Sequence, residues 1–290
     1  MGKLRAVQKQ VLPEYALVVL VGVLVGATVT LSRLPSFDMV KWVLVSFFLL
    51  VFGFNALNGV FDIMVDKINK PGRPLPKGEL TKDETIFASI LFYAAGLFIA
   101  YTISLDILAL ALIFTVFSIA YSVPPLRLKS KFMGINFVGG VLYGVIPLIA
   151  GSLVVDSAQI PFAIAIYVFI IAGIASSIKD FEDHLGDNVY HIRSLPVVFG
   201  VNNAAKLVSY SIIFITMAFI VYSFLANNLK FVTAGSLALV FSVFLGVSLN
   251  NGSNHRSRVS RKDLTYQSNF TRICILLGLL MEASFIFVYM

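Results

Sequence analysis

Two short runs of acidic and amide side chains hold most of the residues in this sequence that could do chemistry. The first reads Asn58-Gly-Val-Phe-Asp62-Ile-Met-Val-Asp66 and continues into Asn69-Lys-Pro-Gly-Arg73-Pro-Leu-Pro76-Lys77-Gly78. If a helix runs through it, Asn58, Asp62 and Asp66 fall at i, i+4 and i+8, which puts three oxygen ligands on one face. The second reads Lys179-Asp180-Phe-Glu182-Asp183-His-Leu-Gly186-Asp187. Asp180, Asp183 and Asp187 stand at i, i+3 and i+7, again one face, with Glu182 directed elsewhere. Hard oxygen donors suit Mg²⁺, which keeps several waters and is held by a few carboxylates together with substrate phosphates. Two acidic faces repel each other unless positive charge lies between them. Arg73, Arg127, Lys129 and Lys179 stand near in sequence and suit a diphosphate. A solvated loop explains either run alone about as well. Both together, each at the end of an apolar segment, are much harder to explain that way.

The elements that must position these runs are apolar. The 290 residues are 58% hydrophobic and 13% charged, with a mean hydropathy of +0.90. A soluble domain carries roughly 25% charged residues, so this chain cannot cover itself with water-facing side chains. Runs of about 20 apolar residues match the thickness of a bilayer core. The alternating ten-residue segments of a membrane barrel are absent from the sequence. The expected fold is therefore all-α and polytopic. About nine transmembrane helices are expected, near 14–32, 40–57, 84–105, 107–121, 136–153, 160–178, 204–226, 229–249 and 269–289. No gap between them is long enough for a soluble domain, so residues 1–290 are read as a single transmembrane domain. The first apolar run follows Lys3, Arg5 and Lys9 but is longer than a signal-peptide core, and is read as a retained span.

Of the 22 basic residues, 19 fall on the side of the N-terminus; only Arg33, Lys41 and Lys230 fall opposite. That bias places the N-terminus and the long polar loops in the cytoplasm and, with nine spans, the C-terminus outside. It also accounts for the net charge of +7 without a nucleic-acid partner. Cys274 is the sole cysteine, which rules out an intrachain disulfide and a thiolate cage. His184, His191 and His255 do not stand at zinc-ligand spacings. Thr81-Lys-Asp-Glu84 has the form of a capping box at the start of the third span. Pro71, Pro74 and Pro76 stiffen the loop around Arg73. The polar stretch Asn250 to Lys262 carries no motif.

The two acidic runs resemble the aspartate motifs of the UbiA superfamily of intramembrane prenyltransferases. The first is similar to that family's Asn-x-x-x-Asp-x-x-x-Asp with its Asn-x-Pro-x-Arg-Pro-Leu-Pro-x-Gly tail. The second resembles its Lys-Asp-x-x-Asp-x-x-Gly-Asp, followed by Ile192-Arg193-Ser194-Leu195-Pro196 and Phe199-Gly200. Between them, Tyr121-Ser122-Val-Pro124-Pro125-Leu-Arg127-Leu-Lys129 looks like the family's Tyr-Ser-x-Pro-Pro element. The resemblance implies a nine-helix bundle with a cytoplasmic cap over a central cavity that opens sideways into lipid. It implies Mg²⁺ held by Asn58, Asp62 and Asp66 from one side and by Asp180, Asp183 and Asp187 from the other. Arg73, Tyr121, Lys129 and Lys179 would contact the diphosphate of an isoprenyl donor, with Asn58 and Arg127 beside them. Asp62, Asp66, Asp180 and Asp183 would be the catalytic aspartates. Gly59 departs from the many members with Asp at that position, and Ser176 and Ser177 stand where some relatives carry Glu.

Within the family, the second run and the Arg-Pro-Leu-Pro tail look most similar to archaeal enzymes that add a geranylgeranyl group to geranylgeranylglyceryl phosphate. The Tyr-Ser-x-Pro-Pro and Ile-Arg-Ser-Leu-Pro stretches look as much like chlorophyll synthases and homogentisate prenyltransferases. The expected acceptor is accordingly the ether-lipid precursor, with an aromatic, quinone-precursor or chlorin acceptor as the alternative. A secondary transporter is the rival of another class. Transporters place ionisable groups at the membrane midplane, whereas nearly every acid here stands at a span end. CDP-alcohol phosphotransferases also use membrane aspartates, but in one compact motif; these clusters are more than 110 residues apart.

Overall fold

The computed structural model describes residues 2–155, 162–256 and 264–290, and every regular element among them is helical. A short basic helix α1 (Lys3–Gln10) leads into α2 (Pro13–Leu31) and α3 (Phe37–Phe61), which passes into α4 (Ile63–Asn69). The hairpin of α5 (Lys82–Ile103) and α6 (Leu105–Ser122) follows. Next, α7 (Gly134–Gly139) runs through a π-helical turn, Gly140–Val145, into α8 (Ile146–Val154). The remainder is α9 (Phe162–Ser176), α10 (Asp180–Val189), α11 (Leu195–Phe199), α12 (Val201–Leu225), α13 (Leu229–Arg256) and α14 (Leu264–Phe287). Residues 257–262 of the polar stretch, with Arg258, Arg261 and Lys262, lie outside the described residues.

By length and composition, seven helices among the described residues can cross a membrane, or eight when α9 and α10 count as one bent span. The last of the nine expected segments coincides with α14, which is not among those seven. The chain is an integral membrane protein, and its outward side chains say the same. Phe87, Phe98, Val116, Phe214 and Phe244 are exposed on helix surfaces, a pattern that lipid tolerates and water does not.

Two apolar cores fill the interior. One joins α2, α3, α6 and α8 around Phe47, Leu50, Phe114 and Leu142. The other joins α9, α12, α13 and α14 around Ile164, Ile212, Leu245 and Phe285. Small and hydroxylated residues let helices approach where lipid gives no hydrophobic drive. Along α3 and α5, Ser46 Oγ donates to the Gly96 carbonyl and Ser89 Oγ to that of Gly53, each at 2.8 Å. The expected capping box is present: Thr81 Oγ1 accepts from the Glu84 N–H and the Glu84 carboxylate from the Thr81 N–H. It fixes where α5 starts and so closes the loop that carries Arg73.

Candidate active site

The first acidic run sits where α3 meets α4. The helix does not run straight through it: Asp62 has φ −102° and ψ 4°, outside the helical region. Even so, the Asp62 N–H donates to the Asn58 carbonyl at 3.0 Å and the Asp66 N–H to that of Asp62 at 2.7 Å. The four-residue bonding register therefore survives the kink, and Asn58, Asp62 and Asp66 are all buried. Asp62 accepts from the Lys129 ammonium, and Arg127 Nη2 stands 3.7 Å from the same oxygen. Asp66 is paired with Arg73 Nη1 at 2.5 Å, while Arg73 Nη2 donates to the Gln10 carbonyl at 3.4 Å. Ser122 Oγ donates to Asn58 Oδ1 at 3.4 Å. A Cβ at Gly59 would lie 2.0 Å from Gln10 Nε2, the end of a side chain without a hydrogen-bond partner that a larger residue would have to displace. The Gln10 side chain occupies the room that an aspartate at this position would need.

The second run follows α9, from which α10 is bent by 57°. With four carboxylates in ten residues, α10 lies beyond the apolar length. Asp180, Asp183 and Asp187 are buried in it. Lys70 Nζ lies 2.7 Å from Asp183 and 3.9 Å from Glu182, so Glu182 is drawn toward the cluster rather than away from it. Lys179 Nζ stands 4.0 Å from Asp183.

Asn69 joins the two runs. Its Nδ2 donates to the Asp183 carbonyl at 2.7 Å, and its Oδ1 accepts from the Gly186 N–H at 2.8 Å. Gly186 is required at this contact, because a Cβ would lie 2.6 Å from Asn69 Nδ2.

The charge balance is uneven. Among the described residues, Asp180 and Asp187 have no basic side chain within 4.0 Å. Burial, and after it the charges of Asp187 and Asp183, push the Asp180 carboxyl well above its ordinary range. Burial, then the Asp183 charge, pushes Asp187 up to about 7. Burial also pulls the Lys129 ammonium down to about 7, and Lys179 adds to the effect.

Beside this cluster opens a cavity of about 130 Å³. Asn58, Arg73, Tyr121 and Lys179 line its polar end, while Val18, Leu142, Ile171 and Leu279 are among its apolar walls. Tyr121 is packed edge-on to Phe54, with ring centroids 5.4 Å apart. No group of three or more acids or histidines among the described residues converges into a ready metal cage. The donor set nonetheless fits Mg²⁺, which needs only one or two carboxylates when phosphate oxygens complete its shell. Buried carboxylates without counter-charge, such as Asp180 and Asp187, favour a cation.

The sequence pointed to the acidic residues and most of the bases, but not to Asn69, Lys70, Gln10 or Glu282. Asn69 and Lys70 could have been found from their place in the first motif's tail. Glu282, a lone acid within an apolar segment, faces the cavity from α14.

A helical membrane bundle with this acid-and-base mouth over an apolar cavity belongs with enzymes that act on amphiphiles. Residues 19–269 match the UbiA prenyltransferase family, and the chain is a member of it. It is 34% identical to the digeranylgeranylglyceryl phosphate synthase of Thermococcus gammatolerans over 72% of this chain and 73% of that one. The synthase of the same name from Thermococcus sibiricus is 33% identical over 65% and 66% of the respective chains. A UbiA homologue from Archaeoglobus fulgidus, bound to DMAPP and Mg²⁺, superposes with a TM-score of 0.70 over 96% of this chain and 99% of that one. It is 20% identical, so that likeness speaks for the fold alone. A digeranylgeranylglyceryl phosphate synthase structure gives a TM-score of 0.62 at 19% identity, covering 97% and 99% of the two chains.

Proposed function

We propose that this chain transfers a polyprenyl group, of geranylgeranyl length, from its diphosphate to geranylgeranylglyceryl phosphate in ether-lipid synthesis. The observation that carries the reading is the polarity of the cavity. A charged mouth with Asn58, Arg73, Tyr121 and Lys179 opens onto apolar walls, which fits a diphosphate head on a hydrocarbon tail. The names of relatives at 33% and 34% identity favour the ether-lipid acceptor over an aromatic or chlorin one.

In this reading Asn58, Asp62 and Asp66, together with Asp180, Asp183 and Asp187, would hold Mg²⁺. Arg73, Lys129, Lys179, Tyr121, Asn58 and Arg127 hold the diphosphate. Asp62, Asp66, Asp180 and Asp183 carry the catalytic burden. Mg²⁺, when bound, would neutralise charge that develops on the departing diphosphate. The basic side chains do the same from fixed positions, without reorganising during the reaction. Apolar walls keep water from the allylic cation that remains. The bond from carbon to the diphosphate oxygen breaks and a bond to the acceptor hydroxyl oxygen forms, with loss of the hydroxyl proton. The bias of 19 basic residues out of 22 supports a cytoplasmic N-terminus and site, and all 290 residues are read as one domain.

The test is a product assay. Purified protein, geranylgeranyl diphosphate and Mg²⁺ are offered geranylgeranylglyceryl phosphate, homogentisate, 4-hydroxybenzoate and chlorophyllide separately, with mass-spectrometric readout. A Mg²⁺-dependent product with the glyceryl phosphate, lost in Asp62→Asn, is the expected result. A product with another acceptor alone would replace this one.

A further inference from the structure

Arg73 owes its place to a segment far from the aspartates in sequence. Its guanidinium is fixed at two points, Nη1 on Asp66 and Nη2 on the Gln10 carbonyl, while Nε has no hydrogen-bond partner. The second point is the carbonyl end of α1. There the last main-chain oxygens have no partner within the helix and carry partial negative charge, which suits a cation. A side chain that bridges two elements shifts when either of them shifts.

That end of α1 is itself held from α3. At the corner between α1 and α2, Leu12 has φ 49°, a left-handed conformation unfavourable for leucine. Asn55 closes the corner: its Nδ2 donates to the Val11 carbonyl at 2.6 Å and lies 3.5 Å from that of Leu12. Gln10, Val11 and Asn55 are all buried. The rest of α1 covers the loop that carries Arg73. Ala6 packs in an apolar cluster with Val60, Leu75 and Leu80, and Lys3 Nζ meets Glu84 at 2.8 Å. The Lys3 pair is exposed and holds weakly, so the buried Asn55 bond is the firmer polar tie. Asn55 stands on α3 one turn before Asn58 and belongs to neither acidic run.

We propose that Asn55 is a positioning residue for diphosphate binding. It sets the corner after α1, the Gln10 carbonyl at that corner sets Arg73, and Arg73 meets the diphosphate. Without the Asn55 amide the corner can relax, the carbonyl withdraws from Nη2, and Arg73 is left with Asp66 alone. A lysine at position 73 has one nitrogen instead of a fork. It cannot serve Asp66 and Gln10 together, so in that background Asn55 has nothing to transmit. The inference rests on the diphosphate role proposed for Arg73.

The experiment measures Mg²⁺-dependent binding of geranyl diphosphate in detergent to wild type, Asn55→Ala, Arg73→Lys and the double variant. Each single variant should weaken binding about tenfold. The double variant should also lose about tenfold, rather than the roughly hundredfold expected of independent sites. Unchanged affinity in Asn55→Ala would overturn the positioning role. So would a hundredfold loss in the double variant, which is what direct contact with the diphosphate or a general loosening would give. Should Asn55→Ala not fold, Asn55→Asp, of the same size but without the donor, runs the same cycle. Failure of both to fold would make Asn55 a residue of the scaffold and overturn the proposal. A wild-type protein that does not bind geranyl diphosphate would remove the prenyl-transfer reading, and the role of Asn55 with it.

Discussion

At the junction of α3 and α4, each aspartate of the mouth is met by a base: Asp62 by Lys129 and Asp66 by Arg73. Among the described residues, Asp183 on α10 is so met by Lys70 and Lys179, and Glu182 stands 3.9 Å from Lys70, while Asp180 and Asp187 have no base within 4.0 Å. The two halves carry the same residue types at similar spacings, yet one is balanced by the protein and the other is not. A balanced half can hold its shape alone. The other half carries buried carboxylates whose charge a bound cation, or failing that a proton, must offset.

The sharpest way to break this comparison is activity. Asp183→Asn removes the carboxylate that orders Lys70 and Lys179, and turnover should fall about 100- to 1000-fold, with monodisperse behaviour in detergent unchanged. A wild-type rate would remove the role proposed for α10. Next comes a difference of sign without Mg²⁺. Asp62→Asn removes the carboxylate paired with buried Lys129 and should destabilise by about 3–5 kcal/mol. Asp180→Asn relieves burial and like-charge repulsion and should raise the apparent Tm. Shifts in the same direction would refute the imbalance.

Mg²⁺ itself should raise the wild-type Tm, with a stabilisation of about 2.7 kcal/mol at a hundredfold excess over Kd. Chelation should reverse the gain, and Asp180→Asn should lose most of it. Asn69→Ala unties the halves from each other by removing two buried hydrogen bonds, at a cost of about 1–3 kcal/mol. Turnover should fall with it, since neither half then positions the other. The smallest effect belongs far from the mouth. Thr81→Ala loses the cap of α5 for about 1 kcal/mol and should leave turnover unchanged; a large loss would mean that the loop carrying Arg73 depends on that cap.

How much of this was legible in the sequence follows from what periodicity can express. Apolar runs locate the helices, and the i, i+4, i+8 and i, i+3, i+7 spacings locate the acids, because both are properties of a single helix. The kink at Asp62 was not read from the sequence: Gly59 weakens a helix there, but no proline marks where it breaks. Pairings across more than 100 residues, such as Lys70 with Asp183, depend on how helix ends dock. The same holds for Gln10 against Gly59: sequence showed a missing side chain, and only packing showed what fills its place. Glu182 was set apart by helical phase alone, but the reach of Lys70 overrides that phase. Glu282 was visible as a letter but had no partner in sequence to give it meaning.

The Asn69 clasp grips α10 only by main-chain groups, the Asp183 carbonyl and the Gly186 N–H. Apart from Gly186, and from Asp183 and Glu182 that Lys70 holds across the same junction, side chains on α10 can drift without loosening the clasp. Evolution can retune the number and placement of acids on that helix, and with them the affinity for metal and diphosphate, while the scaffold that aims them stays fastened.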